Sequence, residues 1–287
     1  MTQQAKLIAV GSALVDQLAY VPEEFLDTVE GEKGGMELIE TDDMNELLSR
    51  LPEKPYRAPG GSAANTVVGA ATLGLDTGML SKVGKDEPGE YYRSALRAAG
   101  VDDSAFKVTD EVATGTCISM ITPDTERTMR TFLGAAATLA PDNISPEDFA
   151  GYTHAHLEGY LLFNEELIMK VLDCAKAKGC KVSLDLAAPE VVSANMDKLP
   201  GILEKYVDIV LANEDEAVAF TGEKDEKTAL SKLAAHCETA VVKIGKRGAW
   251  IQQGNEQAHA EAYHVEAVDT TGAGDLWAAG FLYGLLS

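Results

Sequence analysis

Residues 268–281, VDTTGAGDLWAAGF, join a strand-like run to an apolar helix through a series of small residues. Gly272, Ala273 and Gly274 have almost no side chain, so their N–H groups can approach an anion directly. They lie where a helix leaves its first N–H groups unpaired and where its dipole is positive. The pattern predicts an anion hole that can stabilise the charge on a transferring phosphoryl group.

Asp275 follows in the first turn of the same predicted helix. A carboxylate at this position is stabilised as the anion, and it can accept a proton from an attacking hydroxyl. The alternative is structural, because an aspartate beside a glycine-rich helix start is also a common cap. The motif alone leaves both interpretations open.

A second glycine cluster, GGSAAN at residues 60–65, opens another predicted helix that ends at Gly74. Gly61 allows a close approach of backbone or ligand, and Asn65 offers both donors and acceptors, which suits sugar hydroxyls. Tight packing of a small-residue helix on a sheet is the alternative. The spacing is not that of a P-loop, and residues 11–13 do not form a dinucleotide-binding fingerprint.

Short apolar runs alternate with helical patterns along the chain, which is typical of a parallel sheet covered by helices on both faces. Strands are predicted at 7–15, 78–83, 153–157, 181–186, 208–211, 239–244 and 261–268, and helices at 62–73, 88–99, 165–177, 215–220 and 227–236. The fold class is therefore α/β, with a mostly parallel central sheet.

Two segments, 17–41 and 112–133, do not fit this alternation. The second reads as two strands joined by a turn at 123–126, which predicts a hairpin. We expect both segments to form a small β lid beside an α/β core. The core would then comprise residues 1–16, 42–111 and 134–287. Exposed edges of such a sheet leave a homodimer open.

Composition excludes several classes of protein. The 287 residues carry 24 Lys and Arg against 46 Asp and Glu, a net charge of −22. This charge repels a nucleic-acid backbone and disfavours an anionic membrane surface. Four cysteines without zinc spacing, and the lack of an 18-residue apolar stretch, predict a cytoplasmic protein without a membrane span.

These motifs resemble those of the ribokinase-like, or PfkB, carbohydrate and nucleoside kinases. Both signatures of that family are present, one from residue 60 through Gly74 to Gly84 and the other at 269–275. Between them, residues 213–216 match the N-x-x-E element of the family. The resemblance runs from residue 6 to the end and implies a three-layer α/β/α fold. Residues 33–36, 126–129 and 133–135 are most similar to the bacterial adenosine-kinase-like branch.

The resemblance also implies roles for individual residues in an ATP-dependent transfer to a primary hydroxyl. Asp275 is the expected base, with the anion hole at Gly272, Ala273 and Gly274. The expected acceptor ligands are Asp16, Gly35, Gly61, Asn65 and Glu158. The expected ATP and phosphate ligands are Asn213, Glu216, Gly245, Thr270 and Arg127, with Glu216 holding Mg²⁺ through water. For Glu216 the alternative is a solvated helix face, and for Arg127 it is a surface charge on the hairpin.

The acceptor stays open between adenosine, another nucleoside, and a sugar such as ribose or fructose. We favour an uncharged acceptor, since few basic residues lie near Asp16 and Asn65 in the sequence, and adenosine among these. Phe132, Tyr160 and Phe163 are candidates for a purine slot. A metabolite-binding relative without turnover is the rival class. Family members usually extend a few dozen residues beyond Ser287, and that part would complete the adenine pocket and a monovalent-cation site, for which K⁺ is the candidate.

Overall fold

The computed structural model describes residues 5–266 and 270–287. Its strands are β1 (Lys6–Val10), β2 (Leu14–Tyr20), β3 (Met36–Leu38), β4 (Tyr56–Gly60), β5 (Asp76–Leu80), β6 (Lys82–Gly84), β7 (Val101–Asp102), β8 (Lys107–Thr109), β9 (Gly115–Ile121), β10 (Arg127–Phe132), β11 (His154–Glu158), β12 (Lys181–Asp185), β13 (Ile209–Asn213), β14 (Thr239–Lys243), β15 (Ala249–Gln253) and β16 (Glu256–Ala260). Its α-helices are α1 (Glu23–Leu26), α2 (Thr41–Arg50), α3 (Ser62–Thr72), α4 (Glu87–Ala98), α5 (Glu165–Ala177), α6 (Pro189–Ala194), α7 (Leu199–Tyr206), α8 (Glu214–Thr221), α9 (Glu226–Leu233) and α10 (Ala273–Leu286).

The main sheet has the strand order β16-β15-β14-β13-β12-β11-β1-β5-β7 in the described residues. The strands from β14 to β7 run parallel, and the β15–β16 hairpin adds an antiparallel edge. Alternate residues of β1 enter two separate apolar clusters, Ile8 and Val10 on one face and Leu7 and Ala9 on the other. Helices α5 to α9 cover the first face, and α3, α4 and α10 cover the second. The predicted three-layer α/β/α arrangement is confirmed.

A second sheet, with the order β3-β10-β9-β2-β4, stands beside the main one. One of its faces packs against α2, where Met44 and Leu47 meet Ile118 and Met120 in a small apolar cluster. Side chains alternate between the faces of a strand, so the residues between these point the other way. Asp16 pairs with Cys117 across β2 and β9, and it lies on this second face, away from α2.

Two expected segments differ in the structure. Residues 7–15 are predicted as one strand, but the chain leaves the main sheet after Val10 and enters the second sheet at Leu14. The N–H of Ser12 in this connection donates to Glu158 instead of continuing the ladder. Likewise, Tyr56–Gly60, which the sequence assigns to the core, is an edge strand of the second sheet. Whether that sheet moves as a lid stays a prediction.

The strand expected at 261–268 is not found over residues 261–266, and residues 267 and 268 lie outside the described part. The β-structure before the glycine motif is instead the β15–β16 hairpin, which ends at Ala260. Every residue of β16 is exposed. The strand therefore lacks the alternation of apolar and polar residues that predicts a half-buried strand.

Helices α3 and α10 lie in close contact because Gly69 has no side chain. A Cβ added to Gly69 would lie 2.8 Å from Cβ of Ala279 and 3.0 Å from Cδ2 of Leu276. Such distances are shorter than van der Waals contact, so any larger residue would push the two helices apart. The contact matters because it also keeps the first residues of the two helices, Ser62 and Ala273, near each other.

Gly69→Ala is expected to lower the free energy of unfolding by about 1–3 kcal/mol, because the added methyl overpacks a rigid contact. The matched control is Gly280→Ala, on a part of α10 where an added Cβ meets nothing within 4 Å. There the better helix propensity of alanine should stabilise by up to ~1 kcal/mol. Urea titrations measure both changes. Stabilisation by both substitutions would contradict the close helix contact.

Candidate active site

Two helix N-termini converge at the carboxyl edge of the main sheet. Gly61 caps α3 and Gly272 caps α10, with φ angles of 96° and 69° respectively. Both angles lie in the left-handed region that favours glycine. A Cβ on Gly61 would lie 2.3 Å from the Ser12 carbonyl oxygen, and one on Gly272 would lie 3.3 Å from Asn65 Nδ2. Small residues at both positions are therefore required by the local geometry.

Asp275 is held by the first turn of α3. Its Oδ1 accepts from Ser62 Oγ at 2.7 Å, and its Oδ2 accepts from Asn65 Nδ2 at 2.9 Å. The side chain is half-buried. Because an ionised carboxylate has about four lone pairs, each oxygen can still accept one further hydrogen bond. The arrangement fixes the orientation of Asp275 and leaves it able to take a proton from a bound hydroxyl.

Asp16 packs on Gly60, two residues before the Ser62 that binds Asp275. A Cβ on Gly60 would lie 2.3 Å from the Asp16 carboxyl carbon, so this carboxyl group packs directly on the Gly60 backbone. Burial raises the pKa of Asp16 to about 6, although the positive charge of Arg127 acts in the opposite direction. Since Gly60 and Ser62 are two residues apart, the structure brings Asp16, Asp275 and the charge of Arg127 to one site.

Glu158, at the end of β11, is only 2% exposed. Its carboxylate accepts from the Ser12 N–H at 2.7 Å and from the Ala63 N–H at 3.4 Å. Burial raises its pKa to about 7; the Ser12 N–H opposes this shift and the charge of Asp275 adds to it. Glu158 thus joins the connection between the two sheets to the start of α3, and its predicted contact with the acceptor stays a prediction.

Asn213 and Glu216 form a capping box at the start of α8. Asn213 N and Nδ2 donate to Glu216 at 2.8 and 2.7 Å, and Glu216 N donates to Asn213 Oδ1 at 2.8 Å. Burial first, and then the charge of Asp185, raise the pKa of Glu216 to about 7, while Lys243 lowers it. The solvated helix face considered for Glu216 is wrong, because this side chain is 2% exposed.

The sequence reasoning missed an ion pair between Lys243 and Asp185. Lys243 Nζ lies 2.7 Å from Asp185 Oδ2, and a Cβ on Gly274 would lie 3.5 Å from the same nitrogen. Burial lowers the pKa of Lys243, but the charges of Asp185, Glu216 and Asp275 outweigh it and hold the pKa above its usual range. The available signal was a charged residue at the carboxyl end of each of two predicted strands, KVSLD and TAVVK, because ligands bind at that edge of such sheets.

The remaining predicted residues lie at three separate places in the fold. The Gly35 carbonyl accepts from Met129 N at 2.8 Å, which joins the start of β3 to β10. The Thr270 carbonyl accepts from Ala273 N at 3.1 Å, immediately before α10. Gly245 follows β14 with φ of 55° and with open space around its α-carbon. Asp269, the first residue of the second signature, lies outside the described residues.

The aromatic candidates for a purine slot are not brought together. Phe132 packs into the cluster beneath α2, on the face of the second sheet opposite to Asp16. Tyr160 and Phe163 lie after β11, where both are exposed. Phe132 is therefore wrong as a slot residue, because strand alternation turns it to the other face.

Metal binding by protein side chains alone finds no support in the described residues, where no three His, Cys, Asp or Glu side chains form a cluster that could hold an ion. Over the same residues, no helix is long and apolar enough to span a membrane.

A three-layer α/β core, a small second sheet, and a carboxylate oriented at the junction of two helix N-termini define a ribokinase-like phosphotransferase with an alcohol group as acceptor. The chain belongs to the pfkB family of carbohydrate kinases, which it matches over residues 28–287. The use of ATP and Mg²⁺ follows from this membership.

Relatives of known structure and sequence agree with this membership. The crystal structure of adenosine kinase from Sinorhizobium meliloti is 34% identical, with a TM-score of 0.86 over 99% of this chain and 88% of that one. A probable sugar kinase from Rhizobium etli is 33% identical, with a TM-score of 0.87 over 100% and 88%. Ribokinase from Staphylococcus aureus is 27% identical over 78% of this chain and 73% of its own length.

The raised pKa of Glu158, about 7, makes stability depend on pH. Because the folded pKa exceeds the unfolded value, the stability contribution is complete below about pH 4.5 and is lost as the pH rises through 7. In Glu158→Gln, the free energy of unfolding should fall by up to about 3 kcal/mol less than in wild type as the pH rises. The measurement is urea unfolding of wild type and variant at intervals from pH 4.5 to 8.

The matched control is Glu111→Gln, since Glu111 is exposed. Its unfolding free energy should follow the wild-type curve at every pH. An identical pH dependence in wild type and Glu158→Gln would contradict the shifted titration of Glu158.

Proposed function

We propose that the protein transfers the γ-phosphoryl group of ATP to a primary hydroxyl of a nucleoside, with adenosine as the favoured acceptor. The observation that carries the proposal is the orientation of Asp275 by Ser62 and Asn65 at the N-terminus of α10, with Asp16 packed on the preceding Gly60. A sugar kinase of the ribokinase or fructokinase type is the alternative.

In the proposed reaction, Asp16 binds hydroxyl groups of the acceptor and directs its primary hydroxyl toward Asp275. The hydroxyl oxygen forms a bond to the γ-phosphorus while the bond from that phosphorus to the β,γ-bridging oxygen breaks. Asp275 takes the hydroxyl proton, and ADP leaves with the bridging oxygen. Because the transition state of such transfers is loose, the proton moves late and a carboxylate suffices as base.

The growing negative charge on the phosphoryl oxygens is stabilised by N–H groups at the start of α10. Among Gly272, Ala273 and Gly274, the Ala273 N–H already donates to the Thr270 carbonyl, so we assign this role to Gly272 and Gly274. Small residues let these donors approach closely. We assign Arg127 to the same role from the second sheet, where its charge already acts on Asp16. We further propose that this sheet closes as a lid over the acceptor and excludes water, which otherwise competes for the phosphoryl group.

Asn213 and Glu216 fit Mg²⁺ bound through water. Each Glu216 oxygen accepts one hydrogen bond from Asn213, and its remaining lone pair can accept a hydrogen bond from a water molecule bound to the ion. Mg²⁺ usually keeps several waters and binds proteins through few carboxylates together with substrate phosphates. When bound, the ion neutralises charge on the phosphates. A role for K⁺ is carried over from the family resemblance alone.

The second sheet supports a nucleoside as acceptor. The face that carries Asp16 also presents Leu18, Cys117 and Met129, according to the strand register. On the same face, Ser119 Oγ is buried without a hydrogen-bond partner in the described residues. This face combines the apolar side chains of Leu18, Cys117 and Met129 with the Asp16 carboxyl group and one unpaired hydroxyl. A nucleoside offers a flat base to the apolar part and ribose hydroxyls to the carboxyl group, whereas a free sugar would leave the apolar part uncovered.

Adenosine is expected to lead a panel of nucleosides and sugars in kcat/KM, since only a nucleoside places a base against the apolar side chains of this face. ADP release with ATP and Mg²⁺ measures the rates. An advantage of about 100-fold over ribose and fructose corresponds to ~2.7 kcal/mol of transition-state binding. A hexose that reacts about 100-fold better than adenosine would establish the sugar-kinase alternative instead.

Asp275→Asn should lower kcat by about 10²–10⁴-fold, because the amide keeps the shape of the side chain but cannot accept the hydroxyl proton. Affinities for ATP and acceptor should change less than ~10-fold, as the binding groups remain. Stopped-flow rates of the chemical step and binding titrations measure the two effects.

The matched control is Asp43→Asn, an exposed aspartate at the equivalent position in the first turn of α2. It should leave kcat unchanged. Retention of more than about a tenth of wild-type kcat by Asp275→Asn would falsify the assignment of the base.

A further inference from the structure

The ion pair of Lys243 and Asp185 has no role in the reaction as derived so far. It lies at the carboxyl edge of the main sheet, and the side chains are 14% and 8% exposed. Asp185 ends β12 and Lys243 ends β14, so the pair spans the strand between them. Removing two charges from water is costly, and a buried pair often stabilises no better than apolar residues of similar size. Stability alone is therefore a weak reason for this pair.

The position of the ammonium group points to an anionic ligand. Lys243 Nζ lies beside Gly274, the second residue of α10. A lysine side chain and the positive end of a helix dipole repel each other, and in this structure the negative charges of Asp185, Glu216 and Asp275 offset that repulsion. Asp185 balances the charge of the lysine from the sheet side. An anion bound by N–H groups at the start of α10 would lie beside the same ammonium group.

The ammonium group of Lys243 also has hydrogen-bond donors that no acceptor in the described residues uses. An ammonium group has three N–H donors, and the hydrogen bond to Asp185 Oδ2 uses one of them. Lys243 Nζ has no other hydrogen bond in the described residues. Two donors therefore remain for a ligand at the N-terminus of α10. Phosphoryl oxygens are the acceptors that this place would hold during the proposed reaction.

We propose that Lys243 is a further catalytic residue, whose ammonium group contacts the oxygens of the phosphoryl group as it passes from ATP to the acceptor. Asp185 is its positioning residue. This inference rests on the function proposed above. Lys243 forms no covalent bond and keeps its proton throughout; the acceptor proton still goes to Asp275, and the leaving oxygen still departs with ADP. The charge of the lysine favours the transition state because the transferring group is anionic there.

The first test compares ligands that differ in phosphate number. Lys243→Met should bind a non-hydrolysable ATP analogue about tenfold more weakly than wild type, while binding AMP equally well. It should also lower kcat for transfer to adenosine by about 100-fold or more, which is typical for the loss of one transition-state donor. Lys243→Arg should recover part of both losses, since it restores the charge with a different shape.

Two further variants separate a catalytic role from a structural one. Asp185→Asn/Lys243→Met removes both charges, so no unpaired buried carboxylate destabilises the fold; it should unfold near the wild-type urea midpoint and still show both losses. Lys176→Met/Asp208→Asn removes a similar pair, with Nζ 2.6 Å from Oδ2, near the amino-terminal end of β13. That control should keep wild-type binding and kcat.

The outcomes are distinguishable. If the stable double variant keeps ATP-analogue affinity and kcat within threefold of wild type, the role of Lys243 is overturned. Equal weakening of AMP and ATP-analogue binding also overturns it, because a general distortion of the site would weaken both ligands whatever their number of phosphates. If wild type binds the ATP analogue but phosphorylates no acceptor, the proposed function fails, and the difference between the two ligands still decides whether Lys243 binds the terminal phosphate.

Discussion

The hydrogen bonds from Ser62 and Asn65 to Asp275 are the interaction on which the site depends. They join two segments separated by more than 200 residues in the sequence, and they do so at the N-termini of both helices. Each helix contributes what the other lacks, since α3 supplies the donors and α10 supplies the carboxylate. The rest of the local structure serves to keep these two helix starts together.

Glycines make this proximity sterically feasible. Gly69 lets α3 and α10 touch along their length, while Gly61 and Gly60 let the chain pass close to Ser12 and Asp16. Helix α3 is rich in small residues, and its buried side chains pack against α10 and the main sheet in one apolar cluster. The acidic groups at the site are balanced locally, by Arg127 near Asp16 and by Lys243 near Asp185.

Much of the fold and part of the site could be predicted because their signals are local. The bounds of α5 match the prediction residue for residue, because the spacing of its apolar residues and the glycine that follows it lie in one short stretch of sequence. By contrast, Tyr56–Gly60 joins the second sheet only through pairing with β2, which lies some forty residues earlier. The Lys243–Asp185 pair forms across strands, and the direction of Phe132 follows from strand register. Neither property can be derived from a local pattern.

Asp16 belongs to the second sheet and Asp275 to a helix of the main layer, and this division has a mechanical consequence. Asp16 is carried by β2 of the second sheet, whereas Asp275 is carried by a helix packed on the main sheet. The chain crosses between the two sheets at Ser12 and at Gly61, close to both carboxyl groups, and again before β9 and after β10. In the proposed lid closure, the crossings at Ser12 and Gly61 would serve as the pivot. Rotation about a pivot changes angles more than distances near it, so the gap between the carboxyl groups would hold while the far edge of the second sheet swings.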